Sequence, residues 1–166
     1  VRSQFDGHDT KISLIGRSIG ASLAVLIAHE LRSSMPVQNM VLFSPPLSVS
    51  ALVARMPVLS ALLPLLKNRL DCCAVAEHVV ADALVLLAED DTRVPHGHSA
   101  ALAALLGGRT SITTIRGTDH KTLPRSHAAL AASSMFLLSN RLHPTEHDCS
   151  TKAKPRAVIA RDARSL

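Results

Sequence analysis

The stretch Lys11-Ile12-Ser13-Leu14-Ile15-Gly16-Arg17-Ser18-Ile19-Gly20-Ala21-Ser22, continuing to Glu30, decides how the rest of the chain is read. Ile12 to Ile15 form an apolar run of strand character, and the residues from Ala21 to Arg32 have the alanine and leucine content of a helix packed on a sheet. Gly16-Arg17-Ser18-Ile19-Gly20 joins them and has the form of a nucleophile elbow, a serine on a sharp strand-to-helix turn. Such a turn holds the serine in a strained backbone conformation, and side chains two residues to either side would collide, which predicts the glycines at 16 and 20. The helix that follows aims its free N–H groups at the same point, and the Ile19 N–H is the nearest donor. Ala21 and Ser22 are small enough to let that helix sit close to the sheet.

Working outward, the 166 residues make one domain by length, able to bury roughly 70% of the unfolded surface. With 47% hydrophobic and 19% charged residues the composition is globular. No N-terminal segment joins a basic start to an apolar core and a small-residue cleavage site, so secretion is not indicated. The longest apolar stretch, Leu47 to Leu66, is interrupted by Arg55, Pro57 and Pro64 and is unsuited to spanning a bilayer. Three cysteines, with Cys72 and Cys73 adjacent, make no disulfide framework and fit a reducing, cytoplasmic setting. The net charge of +5 comes from scattered basic residues, and with no Tyr or Trp and only three Phe there is little for bases to stack on. Nucleic acid is therefore excluded as an expected partner. His143, His147 and Cys149 lack a C-x-x-C companion, so no metal is expected.

Along the chain, Val37 to Phe43 is a buried strand ending at Ser44-Pro45-Pro46, and Leu84 to Leu87, within Ala81 to Ala88, repeats that signature ahead of Glu89-Asp90-Asp91. Ser99 to Leu106 is a helix stopped by Gly107-Gly108. Ser111 to Ile115 alternates like a strand and runs into Gly117-Thr118-Asp119-His120, after which Arg125 to Ser139 is a last helix. Strand and helix alternating four times predict an α/β fold, a mostly parallel sheet with flanking helices. Residues 1–140 form the domain, a bent helical cap-like segment covers about 47–71, and 141–166 read as a basic flexible tail.

A serine hydroxyl needs an imidazole in reach and a carboxylate to orient it, and in a parallel sheet all three belong at the C-terminal ends of strands. Of nine histidines, His120 alone directly follows a strand. His8 precedes the elbow strand, His29 lies inside the first helix, His96 and His98 open a later one, His78 and His127 fall in helical or linker segments, and His143 and His147 are in the tail. The same filter leaves Glu89, Asp90 and Asp91 as the acid.

Three motifs together resemble those of the α/β-hydrolases. Ala88-Glu89-Asp90-Asp91-Thr92-Arg93-Val94-Pro95 looks like their acid turn, commonly G-x-x-D-x-x-V-P; Gly117-Thr118-Asp119-His120 is similar to their histidine loop; and the elbow is shared. The order Ser, Asp, His matches as well. The resemblance spans about Lys11 to Asn140, is nearest to the serine-aminopeptidase-like and acyl-hydrolase branch, and singles out Asp91. It implies a Ser18, Asp91, His120 triad acting through an acyl-enzyme on a small acyl or ester substrate, with the Ile19 N–H at the oxyanion and no cofactor. Arg17, at a variable elbow position, is expected in a structural salt bridge, the alternative being an anionic substrate. Two departures stand out: Ala88 replaces the usual glycine, which requires negative φ there, and the strands that precede the elbow in that family do not precede it here. The expectation is a fragment or processed piece with a bare sheet edge, its second oxyanion donor and any membrane contact lying upstream of Val1. The rival expectation is a weak or inactive hydrolase-fold module that binds rather than catalyses.

Overall fold

The computed structural model describes residues 12–48, 71–142 and 158–159. Five parallel strands lie in the order β1-β2-β3-β4-β5: β1 is Ile12–Arg17, β2 Val37–Phe43, β3 Asp82–Ala88, β4 Thr110–Ile115 and β5 Val158–Ile159. Among the described residues the helices between them are α1 (Ile19–Leu31), α2 (Cys73–Ala76), α3 (His96–Leu105) and α4 (His127–Leu142), with a 3-10 turn at Leu123–Arg125 before α4. The alternation read from the sequence is thus the architecture. Most of the cap-like segment about 47–71 and most of the tail, including His143, His147 and Cys149, lie outside the described residues. Within the tail span, Val158 and Ile159 pair with Ser111 and Ile112 of β4.

β2 and β3 are buried along nearly their whole length because helices cover both faces. On one face Met40, Leu42, Val85 and Leu87 meet Ala21, Val25 and Ala28 of α1, Ala76 of α2 and Leu102 of α3. On the other, Val41, Leu84 and Leu86 meet Leu123 and Ala129, with Phe136 of α4 packed alongside. Successive strand residues point to opposite faces, so an unbroken apolar run is what a strand between two helical layers requires. At the starts of the strands Arg109 pairs with Asp82, and Asn140 of α4 donates to Asn39 Oδ1 at 2.7 Å, fixing the far end of α4 on the sheet.

β1 is an edge strand among the described residues, as expected. Its pattern alternates: Ile12 and Leu14 are partly buried against the first core, while Ile15, on the side that α4 occupies further along, is 62% exposed. All strands run parallel, so the turns leaving β1, β3 and β4 open at one common end of the sheet, and these turns carry Ser18, Asp91 and His120.

Candidate active site

Ser18 occupies the junction of β1 and α1 with φ 51° and ψ −124°. This is a conformation that costs a non-glycine residue about 1–3 kcal/mol. The surrounding bonds enforce it: the Ser18 N–H donates to the Phe43 carbonyl at 2.9 Å, and the Ser18 carbonyl accepts the Ala21 N–H at 2.9 Å. The hydroxyl makes no capping bond to the helix, so it is left unspent at the N-terminus of α1, where the macrodipole favours negative charge. Ile19 opens the helix, and its N–H has no carbonyl four residues back to satisfy it.

The two elbow glycines are not equivalent. A Cβ on Gly16 would stand 2.5 Å from the Gly20 carbonyl oxygen and 2.6 Å from the Ala21 Cα, both backbone atoms, so close helix–strand packing requires glycine there. A Cβ on Gly20 would meet nothing within 4 Å among the described residues. The steric demand expected at both positions therefore falls on Gly16, because the helix passes over the strand at 16 and leaves position 20 on its outer side. Gly16→Ala is expected to lower the melting temperature by about 3–10 °C, since backbone must move to admit the methyl group. Gly20→Ala is expected to leave it unchanged or raise it by up to about 3 °C, through the helix preference of alanine. Thermal denaturation followed by circular dichroism reads both.

Beyond β3 the chain turns on Asp91. Its Oδ1 accepts the Arg93 and Val94 N–H groups, each at 2.9 Å, and its Oδ2 lies 2.8 Å from His120 Nδ1. The carboxylate is inaccessible to solvent. Burial by itself would raise its pKa, but the Val94 N–H, the His120 ring, the Ser44 hydroxyl dipole and the Arg93 N–H together hold it below the ordinary carboxylate value. Ser44 follows β2 at φ 42° and is buried; its hydroxyl satisfies no hydrogen-bond geometry among the described residues, so it acts on Asp91 as a nearby dipole rather than as a bonded donor. Ala88 is not among the described residues with positive φ, so the condition set by its replacing glycine is met.

The histidine loop beyond β4 is latched to the acid turn. Gly117, at φ 64°, points its N–H at Glu89 Oε2 (2.8 Å), and the Asp90 N–H donates to the Thr118 carbonyl at 2.9 Å. Thr118 Oγ1 donates to the Ile115 carbonyl at 2.7 Å, and Asp119 Oδ1 gathers the Lys121 N–H, the Thr122 N–H and the Thr122 hydroxyl at 2.7 to 2.9 Å. Those Thr122 and Lys121 donors hold the exposed Asp119 carboxyl below its usual pKa. His120 is thereby presented with only 7% of its surface exposed.

The structure thus joins Asp91 to His120 and places Ser18 at the same end of the sheet, while no hydrogen bond links Ser18 Oγ to the His120 ring among the described residues. The three carboxylates left open by position divide: Asp91 faces the imidazole and Glu89 ties the loop. Arg17 forms no ion pair with a described carboxylate, contrary to the salt bridge expected of it; its guanidinium donates to the His120 carbonyl at 2.9 Å. Its partner lies 103 positions away, so nothing local in the sequence could name it. The other described histidines serve elsewhere: His29 and His78 approach each other between α1 and the end of α2, and the His96 ring meets the Ala88 carbonyl at 2.6 Å. The Cys72 and Cys73 thiols both donate to the Leu47 carbonyl, and burial raises both pKa values, Cys73 to about 12, so neither supplies a thiolate. Among the described residues no group of three His, Cys, Asp or Glu is placed to hold a metal ion, and no helix is long and apolar enough to cross a membrane.

No protein-family model matches the chain, and no curated protein matches it. Solved structures do. The esterase domain of a Rhodothermus marinus protein superposes with a TM-score of 0.59 at 17% identity, over 78% of this chain and 60% of that one. A Paleococcus ferrophilus monoacylglycerol lipase gives 0.53 at 16%, over 78% and 67%. The Pyrococcus horikoshii acylaminoacyl peptidase gives 0.61 at 16%, over 79% and 24%. This chain therefore spans 60% of the esterase domain, 67% of the lipase and a quarter of the peptidase. At such identities the likeness carries the fold, and with the sheet order, the elbow and the two loops described above, the chain has part of the α/β-hydrolase fold.

Proposed function

We propose that this chain carries the catalytic end of a serine hydrolase. The observation that supports it most is the buried Asp91–His120 pair, 2.8 Å from Oδ2 to Nδ1, at the same end of the sheet as a strained serine whose hydroxyl is not spent on capping. In this reading Nδ1–H donates to Asp91, which leaves Nε2 unprotonated to take the Ser18 proton as Oγ attacks a carbonyl carbon. The Ile19 N–H and the α1 dipole stabilise the oxyanion. His120 then protonates the leaving group, an acyl-Ser18 remains, and water activated by the same imidazole releases the acid. The covalent step and the proton transfers use side chains of this chain, and the Ile19 main-chain N–H supports the oxyanion.

Carboxylic esters or thioesters are the proposed substrates, with amides second, on the esterase, lipase and peptidase named above. We assign the protein to the cytoplasm from its free Cys72 and Cys73. The test is a fluorophosphonate probe on the full-length protein. One covalent adduct is expected, on the Ser18 peptide, and absent from Ser18→Ala; no adduct under conditions that label a control hydrolase returns the chain to the rival reading, a hydrolase-fold module that binds without catalysis.

A further inference from the structure

We propose that Arg17, the residue before the nucleophile, is a positioning residue that ties the histidine loop to the elbow and so sets where the His120 imidazole stands relative to Ser18. The inference rests on the serine-hydrolase reading for its consequence in rate, and on the geometry alone for its consequence in structure.

The need for such a tie follows from the sheet. Ser18 leaves β1 and His120 leaves β4, three strands away. Strand spacing near 4.8 Å puts those strand ends about 14 Å apart, so the loop from 116 to 122 has to lean back across the sheet for the imidazole to serve the serine. The bonds on its acid side, Glu89 to Gly117, Asp90 to Thr118 and Asp91 to the His120 ring, fix it relative to β3. None of them touches β1, whose link to β3 runs through β2. The bond from the Arg17 guanidinium to the His120 carbonyl, 2.9 Å long and partly buried, does. It connects the main chain of the base directly to the side chain of the nucleophile's immediate neighbour.

The residue type suits the task. Arg17 is the last residue of β1, paired with Phe43, and reaches the loop from the sheet face that α4 covers further along. A guanidinium stays charged at all working pH and donates through a planar fork, so its bond to a carbonyl is charge-assisted and directional. With no Ser18 Oγ to His120 bond formed among the described residues, this strap is what brings the base toward the elbow, and a misplacement of about 1 Å in such a pair costs about 10²-fold in rate.

Two readouts on the full-length protein separate this claim from the proposed function. The first is the rate constant of fluorophosphonate labelling at saturating probe. Arg17→Ala is expected to slow it about 10- to 100-fold with a melting temperature within a few degrees of wild type, and Arg17→Lys, or guanidinium ion added to Arg17→Ala, is expected to restore part of the loss. The second is the downfield proton resonance of His120 Nδ1–H in its bond to Asp91, which is independent of turnover and is expected to shift or broaden in Arg17→Ala. Labelling at the wild-type rate in Arg17→Ala overturns the proposal. So does a loss of labelling that tracks a collapse of the melting temperature and that neither lysine nor guanidinium relieves. If the wild-type protein takes no label, the hydrolase reading fails, and the resonance still decides the positioning claim: an unchanged signal in Arg17→Ala overturns it, a shifted one upholds it.

Discussion

Alanine at position 120 is expected to slow fluorophosphonate labelling of Ser18 by about 10⁴-fold or more, because in the proposed mechanism the imidazole takes the serine proton and without it the hydroxyl stays a weak nucleophile. The structural cost is smaller and separable. Removing the ring leaves the buried Asp91 Oδ2 without its donor, a loss of about 1–3 kcal/mol, while the two backbone bonds to Oδ1 persist. The variant is expected to remain folded at 25 °C, with its melting temperature lowered by several degrees. Equal substitution of His127, exposed at the start of α4, is expected to change labelling by less than about twofold. A His120→Ala protein that labels at near wild-type rate removes His120 from the chemistry.

Asp91→Asn is expected to produce a comparable loss, about 10⁴-fold, with far less disturbance of the turn. An asparagine can keep its carbonyl oxygen toward the Arg93 and Val94 N–H groups, so the turn survives. Its amide nitrogen then faces His120 Nδ1 and donates where the carboxylate accepted, so the imidazole is held in the tautomer that cannot take a proton at Nε2. Asp90→Asn is the control: the Asp90 contact to the histidine loop is made by its backbone N–H, which the substitution leaves intact, and less than about threefold change in labelling is expected. The pH dependence of stability gives a second measure. The folded-state pKa of Asp91 is lowered, so its contribution is fully present above the unfolded value near 3.9 and is lost as pH falls through the folded one. Melting temperatures measured from pH 6 to 2 are therefore expected to fall less steeply in Asp91→Asn than in wild type. Parallel curves would mean that the carboxylate is not held ionised by this turn.

Much of the fold was legible in order and type. β2 begins and ends where the expected strand Val37 to Phe43 does, and β3 starts one residue inside the expected Ala81 to Ala88. Helix starts were less legible: α1 begins at Ile19 rather than Ala21, and α3 begins at His96, where the placement of the histidines put it, ahead of the stretch Ser99 to Leu106 read from composition. Their first turns hold Gly20 and His96-Gly97-His98, which carry neither apolar period nor helix preference, and it is the packing of later turns, Val25 and Leu102 among them, that secures the helical start. The last helix begins at His127 because Leu123-Pro124-Arg125 closes a 3-10 turn first. The single turn Cys73–Ala76 gave no sequence signal at all, being too short to show a period.

The sequence by itself determined the alternation of strand and helix and the placement of Ser18, Asp91 and His120 at strand ends, because periodicity, glycine and turn chemistry act between residues a few positions apart. The motif resemblance also singled out Asp91, but only the tertiary structure decided that its Oδ2 meets the imidazole, that Glu89 holds the loop, that Gly16 and not Gly20 bears the steric demand, and that Arg17 grips the His120 carbonyl. Each of these last is a contact whose geometry is set by strand order and by helices crossing the sheet. Glu89 and Gly117 are 28 positions apart, Asp91 and His120 are 29, and Arg17 and His120 are 103, distances over which local sequence carries no information about contact until the sheet has brought the strand ends together.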